Sequence, residues 1–395
     1  MSALVLLGLA WAVMATGFSA VALGRLLRAR RCPVASTRVP VLLLRPVDAP
    51  TARELDNLAC PVDYAGALEQ VVVSPYRPRL APGVRWLPSD PPTPNRKVGH
   101  LLYAVEVLRT EGRVVLAVDA DVAVTGALVE ALAAPVAAGA ALSTAAPTPV
   151  GERGVVARAV AGLLRHSHHS FRALHAMSAG AKAVCGKALG FSPLALEALQ
   201  GLADHIGEDL ELSKRLHARG LDVALAEVPA LVPLEPMSSW RPAVERFTRW
   251  MQVLSSHRPG LYPTVPLLFT PTLPLAVLAG VLGSWQLAAA TGTLVGVRML
   301  LSWRLGVLTK PSPPPSPEGR GRSPLPPGEG QGEGSSPLGF STVTTAWLLG
   351  EALLLAAFLR SLWSAGTVTW RGRTYELQRG GRMAPVWPEL SGGPG

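Results

Sequence analysis

Cysteine is scarce in this sequence. The 395 residues include three cysteines, an odd number with wide spacing: Cys32, Cys60 and Cys185. A disulfide framework needs paired cysteines and a CxxC-type zinc site needs closely spaced ones, so both are excluded. The scarcity is typical of a domain that works on the reducing side of a membrane.

Charged residues are also few, at 16% of the sequence, and acidic residues are outnumbered, which gives a formal net charge of +10. No basic run is interleaved with aromatic residues, so no nucleic acid partner is expected. Many arginines instead lie beside apolar segments, a pattern that favours anionic lipid surfaces and phosphates. A hydrophobic fraction of 49% is high for a soluble enzyme and indicates membrane segments.

The N-terminal stretch lacks charge altogether. Residues 3–23 are long enough to cross a bilayer, and arginines follow at positions 25, 28, 30 and 31. A cleaved signal peptide would carry its basic residues before the apolar core and small residues at a cleavage site after it. The reversed order therefore predicts a retained transmembrane anchor over residues 1–24, with the arginines on the cytoplasmic face.

Apolar sequence returns after residue 259. Residues 264–302 are too long for one crossing and divide near Gly283 into two predicted membrane helices, and residues 342–363 predict a third. Between these blocks, residues 311–338 are rich in proline, glycine and serine and cannot bury a core. They predict a disordered loop without a catalytic role.

The basic tail, residues 364–395, conflicts with a simple topology. If the catalytic domain is cytoplasmic, two late crossings return Arg304 and Lys310 to the cytoplasm, as the charge bias prefers. One more crossing would then export the arginines of the tail. Either the charge rule fails at the C-terminus, or one late segment is re-entrant or lies in the interface.

The middle of the chain, residues 38–258, has the pattern of a doubly wound α/β domain. The runs VPVLLLRPV and EQVVVS predict strands, and the segment between them predicts a helix. A second helical stretch, NRKVGHLLYAVEVLRTEG, leads into the apolar run VVLAV. Ligands of such domains bind at the carboxyl ends of the parallel strands.

Asp119 and Asp121 follow that apolar run directly. Two carboxylates this close repel each other unless a cation lies between them, so the pair predicts a site for Mg²⁺ or Mn²⁺ against a substrate diphosphate. An acidic turn without function is the alternative. A haloacid-type phosphatase is excluded, because Ala123 stands where that motif has threonine or valine.

Two further motifs each allow two interpretations. Glu208 and Asp209 open a predicted helix, where they either complement the helix dipole or supply a catalytic base. Residues 240–258 alternate arginines with aromatic residues. This helix is either a basic helix at the membrane interface or a phosphate site built from Arg246 and Arg249.

The ordered set LLLRPVD, NRK, DAD, GED and RFTRW, between an N-terminal anchor and a C-terminal apolar block, resembles the ceramide glucosyltransferases and their bacterial relatives. The ending TWRGRTYEL is similar too. The resemblance implies a GT-A-like nucleotide-sugar-binding domain on the cytoplasmic face of a multi-pass protein of the bacterial inner membrane. It also implies an inverting transfer of a hexose, glucose in this family, from a UDP-sugar to a lipid hydroxyl, most commonly that of ceramide.

The resemblance also implies roles for individual residues. Asp119 and Asp121 would bind the divalent metal, and Asp209 would be the general base. The residues implied for nucleotide-sugar and acceptor binding are Lys97, His169, Glu208, Arg246, Arg249 and Trp250. A zinc site of His166, His168 and His169 is the rival interpretation of RHSHHSF, but no further ligand lies nearby in the sequence.

One departure concerns the second strand, after which the family has an aspartate that contacts the nucleotide base. This chain has Ser74 and Pro75 there, so nucleotide preference and activity are both in question. Acceptors other than ceramide are a hopanoid, diacylglycerol or polyprenyl phosphate. The competing class of function is a membrane protein that binds a nucleotide-sugar with little or no turnover.

Overall fold

A computed structural model describes residues 2–28, 38–237, 239–308, 340–364, 366–370 and 373–386. The predicted loop of residues 311–338, the arginines at positions 30 and 31 after the N-terminal anchor, and the end of the tail lie outside the described residues. The α-helices are α1 Ala3–Arg28, α2 Ala52–Ala59, α3 Arg96–Val107, α4 Gly126–Ala137, α5 Val155–Met177, α6 Pro193–Leu199, α7 Glu208–Ala218, α8 Trp240–His257, α9 Thr272–Val281, α10 Trp285–Leu308 and α11 Phe340–Trp363.

The strands alternate with the helices through the middle of the chain and then form a group near its end. They are β1 Val41–Pro46, β2 Leu68–Ser74, β3 Arg85–Pro88, β4 Val114–Val118, β5 Leu142–Thr144, β6 Pro147–Val150, β7 Ala188–Phe191, β8 Val223–Leu225, β9 Ala230–Pro233, β10 Thr367–Trp370, β11 Arg373–Leu377 and β12 Met383–Pro385. A five-residue π-helical turn, Val265–Phe269, precedes α9.

Seven strands of the described residues form one sheet in the order β3-β2-β1-β4-β7-β5-β8. The strand pairs β3–β2, β2–β1, β1–β4 and β5–β8 are parallel. Strand β7 is antiparallel to both of its neighbours, β4 and β5. The predicted mixed α/β fold with a parallel sheet is therefore confirmed. Because β7 runs in the opposite direction, its first residue lies at the edge where β4 ends, and Val118 pairs with Ala188.

The two faces of the sheet are covered by different helices. Alternate side chains of β1 and β4, such as Leu43 and Leu116, pack against α4, α5 and α8. The opposite set, such as Leu44 and Val115, packs against α3, α6 and α7. Since successive side chains of a strand point to opposite faces, the continuous apolar runs of β1 and β4 are what a sheet buried on both sides requires.

The apolar helices outside the sheet form two packed groups. Helix α1 packs along α10 and contacts α9, whereas α11 packs along α5 and α8. At the α5–α11 crossing, Gly162 and Gly350 let the two backbones meet, since a Cβ at either position would overlap the backbone of the other helix. The ion pair of Arg298 with Glu351, fully buried on both sides, joins α10 to α11.

By length and composition, two helices among the described residues could cross a membrane: residues 3–27 and residues 345–363. The first half of the block predicted as two membrane helices, residues 264–302, is divided into the π-helical turn and the ten-residue α9. Its second half is α10, which begins at Trp285, next to the expected division at Gly283. Half of the apolar stretch of α11 is buried inside the protein.

The end of the chain is a folded element rather than a plain basic tail. Strands β10, β11 and β12 form an antiparallel sheet that packs on the segment before α7. The backbone N–H of Ile206 donates to the carbonyl of Gly381 at 2.8 Å, and the N–H of Met383 donates to the carbonyl of Asp204 at 2.7 Å. This C-terminal sheet therefore supports the residues that lead into Glu208 and Asp209.

Candidate active site

Asp119 and Asp121 lie in the turn that follows β4. The turn is shaped by Arg45, a fully buried residue of β1, whose Nη2 donates to the carbonyl oxygens of Asp119 at 3.2 Å and Val122 at 2.9 Å. Burial lowers the pKa of the Arg45 guanidinium to about 10, and the two nearby aspartates oppose this shift. Arg45 therefore stays charged at neutral pH and fixes the backbone that carries the aspartates.

Two lysine ammonium groups lie against these carboxylates. Lys97, from α3, is 2.8 Å from Asp119 Oδ1, and Lys187, directly before β7, contacts Asp121 Oδ2 and lies 3.8 Å from Asp119 Oδ2. The antiparallel pairing brings Lys187 here, because its carbonyl accepts the N–H of Asp119 at 2.9 Å. Burial raises the pKa of Asp121, but Lys187 and then Arg246 outweigh burial and lower it.

Lys97 also connects the aspartates to α7. Its Nζ donates to the carbonyl of Gly186 at 2.5 Å and lies 3.2 Å from Glu208 Oε1. Burial lowers the pKa of the Lys97 ammonium, but Asp119 and Glu208 outweigh burial and leave the pKa above its ordinary value. The carboxylates of two separate motifs are thus held together by one charged lysine.

Asn95 organises the same region from the start of α3. It is fully buried, and its Oδ1 accepts the N–H of Val98 at 3.2 Å as the helix N-cap. Its Nδ2 donates to Glu208 Oε2 at 3.0 Å and to the carbonyl of His205 at 2.8 Å. The asparagine of the NRK motif therefore positions both α3 and Glu208.

Asp209 lies beside Glu208 in the first turn of α7. Its Oδ2 accepts the N–H of Gly186 at 2.7 Å, and its Oδ1 accepts the N–H of Leu210 at 2.9 Å. Burial and then the charge of Glu208 raise the pKa of Asp209 to about 6, against the opposing effects of Lys97 and of both N–H donors. A carboxylate with this pKa is ionised at neutral pH and is a stronger base than an ordinary aspartate.

The aspartates offer oxygen ligands to a divalent cation. Four carboxylates, Asp119, Asp121, Glu208 and Asp209, lie beside the ammonium groups of Lys97 and Lys187, and the guanidinium groups of Arg45 and Arg246 add positive charge near the two aspartates. Asp121 Oδ1 is buried without a hydrogen-bond partner. Two aspartate oxygens with a substrate diphosphate and water are a ligand set that suits Mg²⁺ or Mn²⁺.

The described residues offer few side-chain ligands for a metal ion. Among the described residues, no group of three or more histidine, cysteine, aspartate or glutamate side chains is arranged to hold a metal ion. The protein would therefore supply few ligands, and the donor diphosphate would have to complete the coordination.

Helix α8 contributes Arg246 to the edge of the site. The charge of Arg246 lowers the pKa of Asp121, and its guanidinium lies 5.9 Å from the centre of the Trp250 ring. Trp250 in turn meets Phe247 edge-on, with ring centres 5.0 Å apart. Arg249 is half-buried on the same helix. His169 lies on α5, and its side chain is outside the described residues.

Ser74, at the position of the missing family aspartate, is buried at the end of β2. Its hydroxyl donates to the carbonyl of Tyr76 at 2.7 Å and accepts the indole N–H of Trp86 at 3.1 Å. Both contacts are internal to the protein, so this serine supports the local turn.

Three residues of the cluster were not among the predicted site residues: Lys187, Asn95 and Arg45. Each had a signal in the sequence. Arg45 is a charged residue inside an apolar strand, Asn95 stands at a helix start, and Lys187 follows a glycine before a short apolar run. What the sequence lacks is the direction of β7, which decides that Lys187 meets Asp121.

The family described as glycosyl transferase family 21 matches residues 86–383, about three quarters of the chain. No curated protein matches the chain. Similar solved structures include the mannosyltransferase PcManGT from Pyrobaculum calidifontis in complex with GDP-Man and Mn²⁺, at 17% identity and a TM-score of 0.46, over 90% of this chain and 99% of that one. The bifunctional IspDF from Campylobacter jejuni is similar at 13% identity and a TM-score of 0.28, over 48% of this chain and 50% of that one.

Proposed function

The chain belongs to glycosyl transferase family 21, and from this premise we propose that it is a membrane-bound inverting glycosyltransferase. It transfers a hexose, glucose by similarity to the family, from a UDP-sugar to the hydroxyl of a membrane lipid of the ceramide type. The observation that carries the proposal is the cluster at the ends of β4 and α7. There the charge of Lys97 acts both on Asp209, whose pKa is raised, and on Asp119, which lies 2.8 Å from the lysine.

The reaction is a single displacement. The acceptor oxygen forms the new bond to C1 of the hexose, while the bond from C1 to the diphosphate oxygen breaks and UDP leaves with the electron pair. Asp209 takes the proton of the acceptor hydroxyl, which is the role of a general base. Glu208, the carboxylate beside Asp209, is held by Lys97 and Asn95, which argues against its use as a nucleophile in a covalent intermediate.

The departing diphosphate carries the negative charge that has to be stabilised. Lys97, Lys187 and Arg246 supply positive charge at the edge where the strands end. When bound, a divalent cation held by Asp119 and Asp121 would neutralise part of the same charge. The remaining predicted binding residues, His169, Arg249 and Trp250, would lie toward the donor and acceptor, with Glu208 behind Asp209.

The arrangement in the membrane is part of the proposal. Residues 3–27 would anchor the protein, with the GT-A-like domain of residues 38–258 on the cytoplasmic face of a bacterial inner membrane. The helices of residues 264–302 and 340–363 would lie in or on the bilayer. A lipid acceptor would then reach the site from the side of α8, whose Trp240 is exposed.

Purified protein supplied with UDP-glucose and a panel of lipids tests this function. The panel contains ceramide, diacylglycerol, a hopanoid and polyprenyl phosphate, and both UDP release and the mass of the lipid product are measured. We expect UDP release that depends on ceramide, is lost in excess chelator and returns with Mg²⁺ or Mn²⁺. Product on another lipid changes the acceptor, and donor binding without UDP release from any lipid makes the protein a binder.

A further inference from the structure

Lys187 lies between the two aspartates, a position that its role toward the diphosphate does not explain. Its ammonium contacts Asp121 Oδ2 and lies 3.8 Å from Asp119 Oδ2, so it bridges the two carboxylates. The side chain is 15% exposed, which means that it is largely closed off from bulk water but still borders the site. It lies where a cation is needed between two neighbouring aspartates.

The two lysines of the cluster differ in how firmly they are held. Lys97 is bound by Asp119, Glu208 and the carbonyl of Gly186, three partners from three segments of the chain. Among the described residues, Lys187 makes its ammonium contacts with the two aspartates alone. Lys97 is therefore fixed, whereas Lys187 would lose all of its ammonium partners if the aspartates bound another cation.

A divalent cation and Lys187 compete for the same oxygens. Asp121 Oδ2 faces the lysine, and Asp121 Oδ1 is the one carboxylate oxygen of the two described aspartates that is buried without a hydrogen-bond partner. A metal that takes an oxygen from each aspartate would lie beside the ammonium, and two positive centres at that distance repel strongly in a site shielded from water. Metal binding therefore requires the lysine to leave, and a diphosphate offers it new oxygens.

We propose that Lys187 is an internal counter-ion that holds the Asp119 and Asp121 pair in place of the metal until the donor arrives. Metal and nucleotide then bind together, and the lysine moves from the aspartates to the diphosphate. This inference rests on the proposed glycosyltransferase function. Its consequence is that the metal binds weakly to the free protein and much more tightly when the nucleotide diphosphate is present, and by linkage the reverse also holds.

Binding of Mn²⁺ to the purified protein tests the inference without measuring turnover. Free Mn²⁺ is followed by electron paramagnetic resonance, with and without UDP, for the parent and for Lys187→Met, which keeps the length of the side chain and removes its charge. Lys187→Arg keeps the charge, and Lys214→Met removes a lysine that pairs with Glu211 on α7 at 3.0 Å. Lys187→Gln serves as a second neutral variant if the methionine variant does not fold.

We expect the neutral variants to bind Mn²⁺ without UDP at least tenfold more tightly than the parent. UDP should then tighten Mn²⁺ binding less in these variants than in the parent, while Lys187→Arg and Lys214→Met behave like the parent. Equal Mn²⁺ affinity and an equal effect of UDP in parent and neutral variants would overturn the role of Lys187 alone. No Mn²⁺ binding by any protein, with or without UDP, would remove the metal from the proposed function as well.

Discussion

The carboxylate of Asp209 accepts a 2.7 Å hydrogen bond from the backbone N–H of Gly186, the residue directly before Lys187. One short segment therefore orients the proposed base with its backbone and bridges Asp119 and Asp121 with its next side chain. Because the segment leads into the antiparallel strand β7, its position is fixed by the sheet. The two halves of the site are thereby coupled through one segment.

Replacing Asp209 by asparagine separates a base from a helix-end charge. Asparagine can still accept the Gly186 N–H, so the variant should fold and bind UDP-sugar like the parent. It cannot take the acceptor proton, and general-base catalysis contributes about 10² to 10⁴-fold, so transfer should fall at least ~100-fold. Donor titration and glycolipid formation are measured on one preparation, with the exposed Asp56→Asn as control. Turnover near the parent value would leave Asp209 with a structural role only.

The pH dependence of transfer should report the same carboxylate. Its pKa is raised to about 6 by burial and Glu208, with Lys97 opposing, so the base is protonated below that pH. The neighbouring thiol of Cys185 does not interfere, since burial raises its pKa to about 12. The rate should rise with pH up to about 6 and level off above it. A rate that is flat from pH 5 to 8 would contradict the assignment.

The same pKa shift has a consequence for stability. A carboxyl whose folded-state pKa lies above its ordinary 3.8 binds its proton more tightly when folded. Its contribution to stability is therefore present at low pH and is lost as pH rises through about 6. At neutral pH the buried charge of Asp209 is a cost that asparagine removes, whereas the loss of one accepted N–H hydrogen bond in Asp209→Asn does not depend on pH. The free energy of unfolding of the parent relative to Asp209→Asn should therefore be lower at pH 8 than at pH 5. Denaturant unfolding at pH 5 and pH 8 measures this.

The placement of Asp119 and Asp121 follows from the sequence, because an apolar strand in an α/β pattern leads to the carboxyl edge of the sheet. The partners of these aspartates do not. Lys187 meets them because β7 runs antiparallel, and neither the direction nor the neighbours of a four-residue strand are encoded in its composition. The C-terminal sheet was missed for a similar reason, since its strands are short and their arginines look like a solvated tail. The catalytic and binding roles of the site residues stay predictions.

Gly186 is a position where added volume should disturb the base without unfolding the protein. A Cβ there would lie 3.2 Å from both Asp209 Oδ2 and Glu208 Oε1, closer than ordinary contact. Gly186→Ala should therefore displace the carboxylates by a few tenths of an ångström and slow transfer by about tenfold. Gly260→Ala, where a Cβ meets nothing within 4 Å, is the matched control. Equal rates for the two variants would mean that the carboxylates tolerate the displacement.

The packing of the C-terminal sheet bears on the membrane topology. Arg382 Nε lies 2.8 Å from Asp204 Oδ2, and Gln252 Nε2 donates to the carbonyl of Thr367 at 2.9 Å. The described strands β10 to β12 therefore pack on the catalytic domain, and in the proposed membrane arrangement this favours a late segment that is re-entrant or interfacial. In that arrangement Arg373, Arg379 and Arg382 would stay on the catalytic side, as the charge bias prefers.

Cysteine labelling tests this orientation. Arg379 and Arg77 are exposed, the first in the C-terminal sheet and the second in the catalytic domain. Each is changed to cysteine in a background in which Cys32, Cys60 and Cys185 are replaced. A membrane-impermeant maleimide should label both cysteines in one vesicle orientation, inverted or right-side-out, and neither cysteine in the other. Labelling from opposite sides would show that the tail leaves the catalytic domain in the membrane.

The last prediction concerns whether the C-terminal sheet positions Asp209. Two adjacent glycines of that sheet provide a matched pair of variants to test it. Gly380 and Gly381 both have a φ near +80°, so alanine at either position costs about 1–2 kcal/mol of backbone strain. At Gly380 a Cβ meets nothing, whereas at Gly381 it would overlap the imidazole of His257 and crowd the carbonyl of Ile206, three residues before Asp209.

Gly381→Ala should therefore lose a further ~1–3 kcal/mol of unfolding free energy relative to Gly380→Ala, from overpacking against His257. Because Ile206 and Gly207 lead into α7, the shift should reach Asp209 and lower the transfer rate as well, whereas Gly380→Ala should transfer sugar like the parent. Denaturant unfolding and the transfer rate are compared for the two variants. If Gly381→Ala is less stable but transfers at the rate of Gly380→Ala, the sheet stabilises the domain without positioning the base, because the displaced backbone then relaxes before it reaches Asp209.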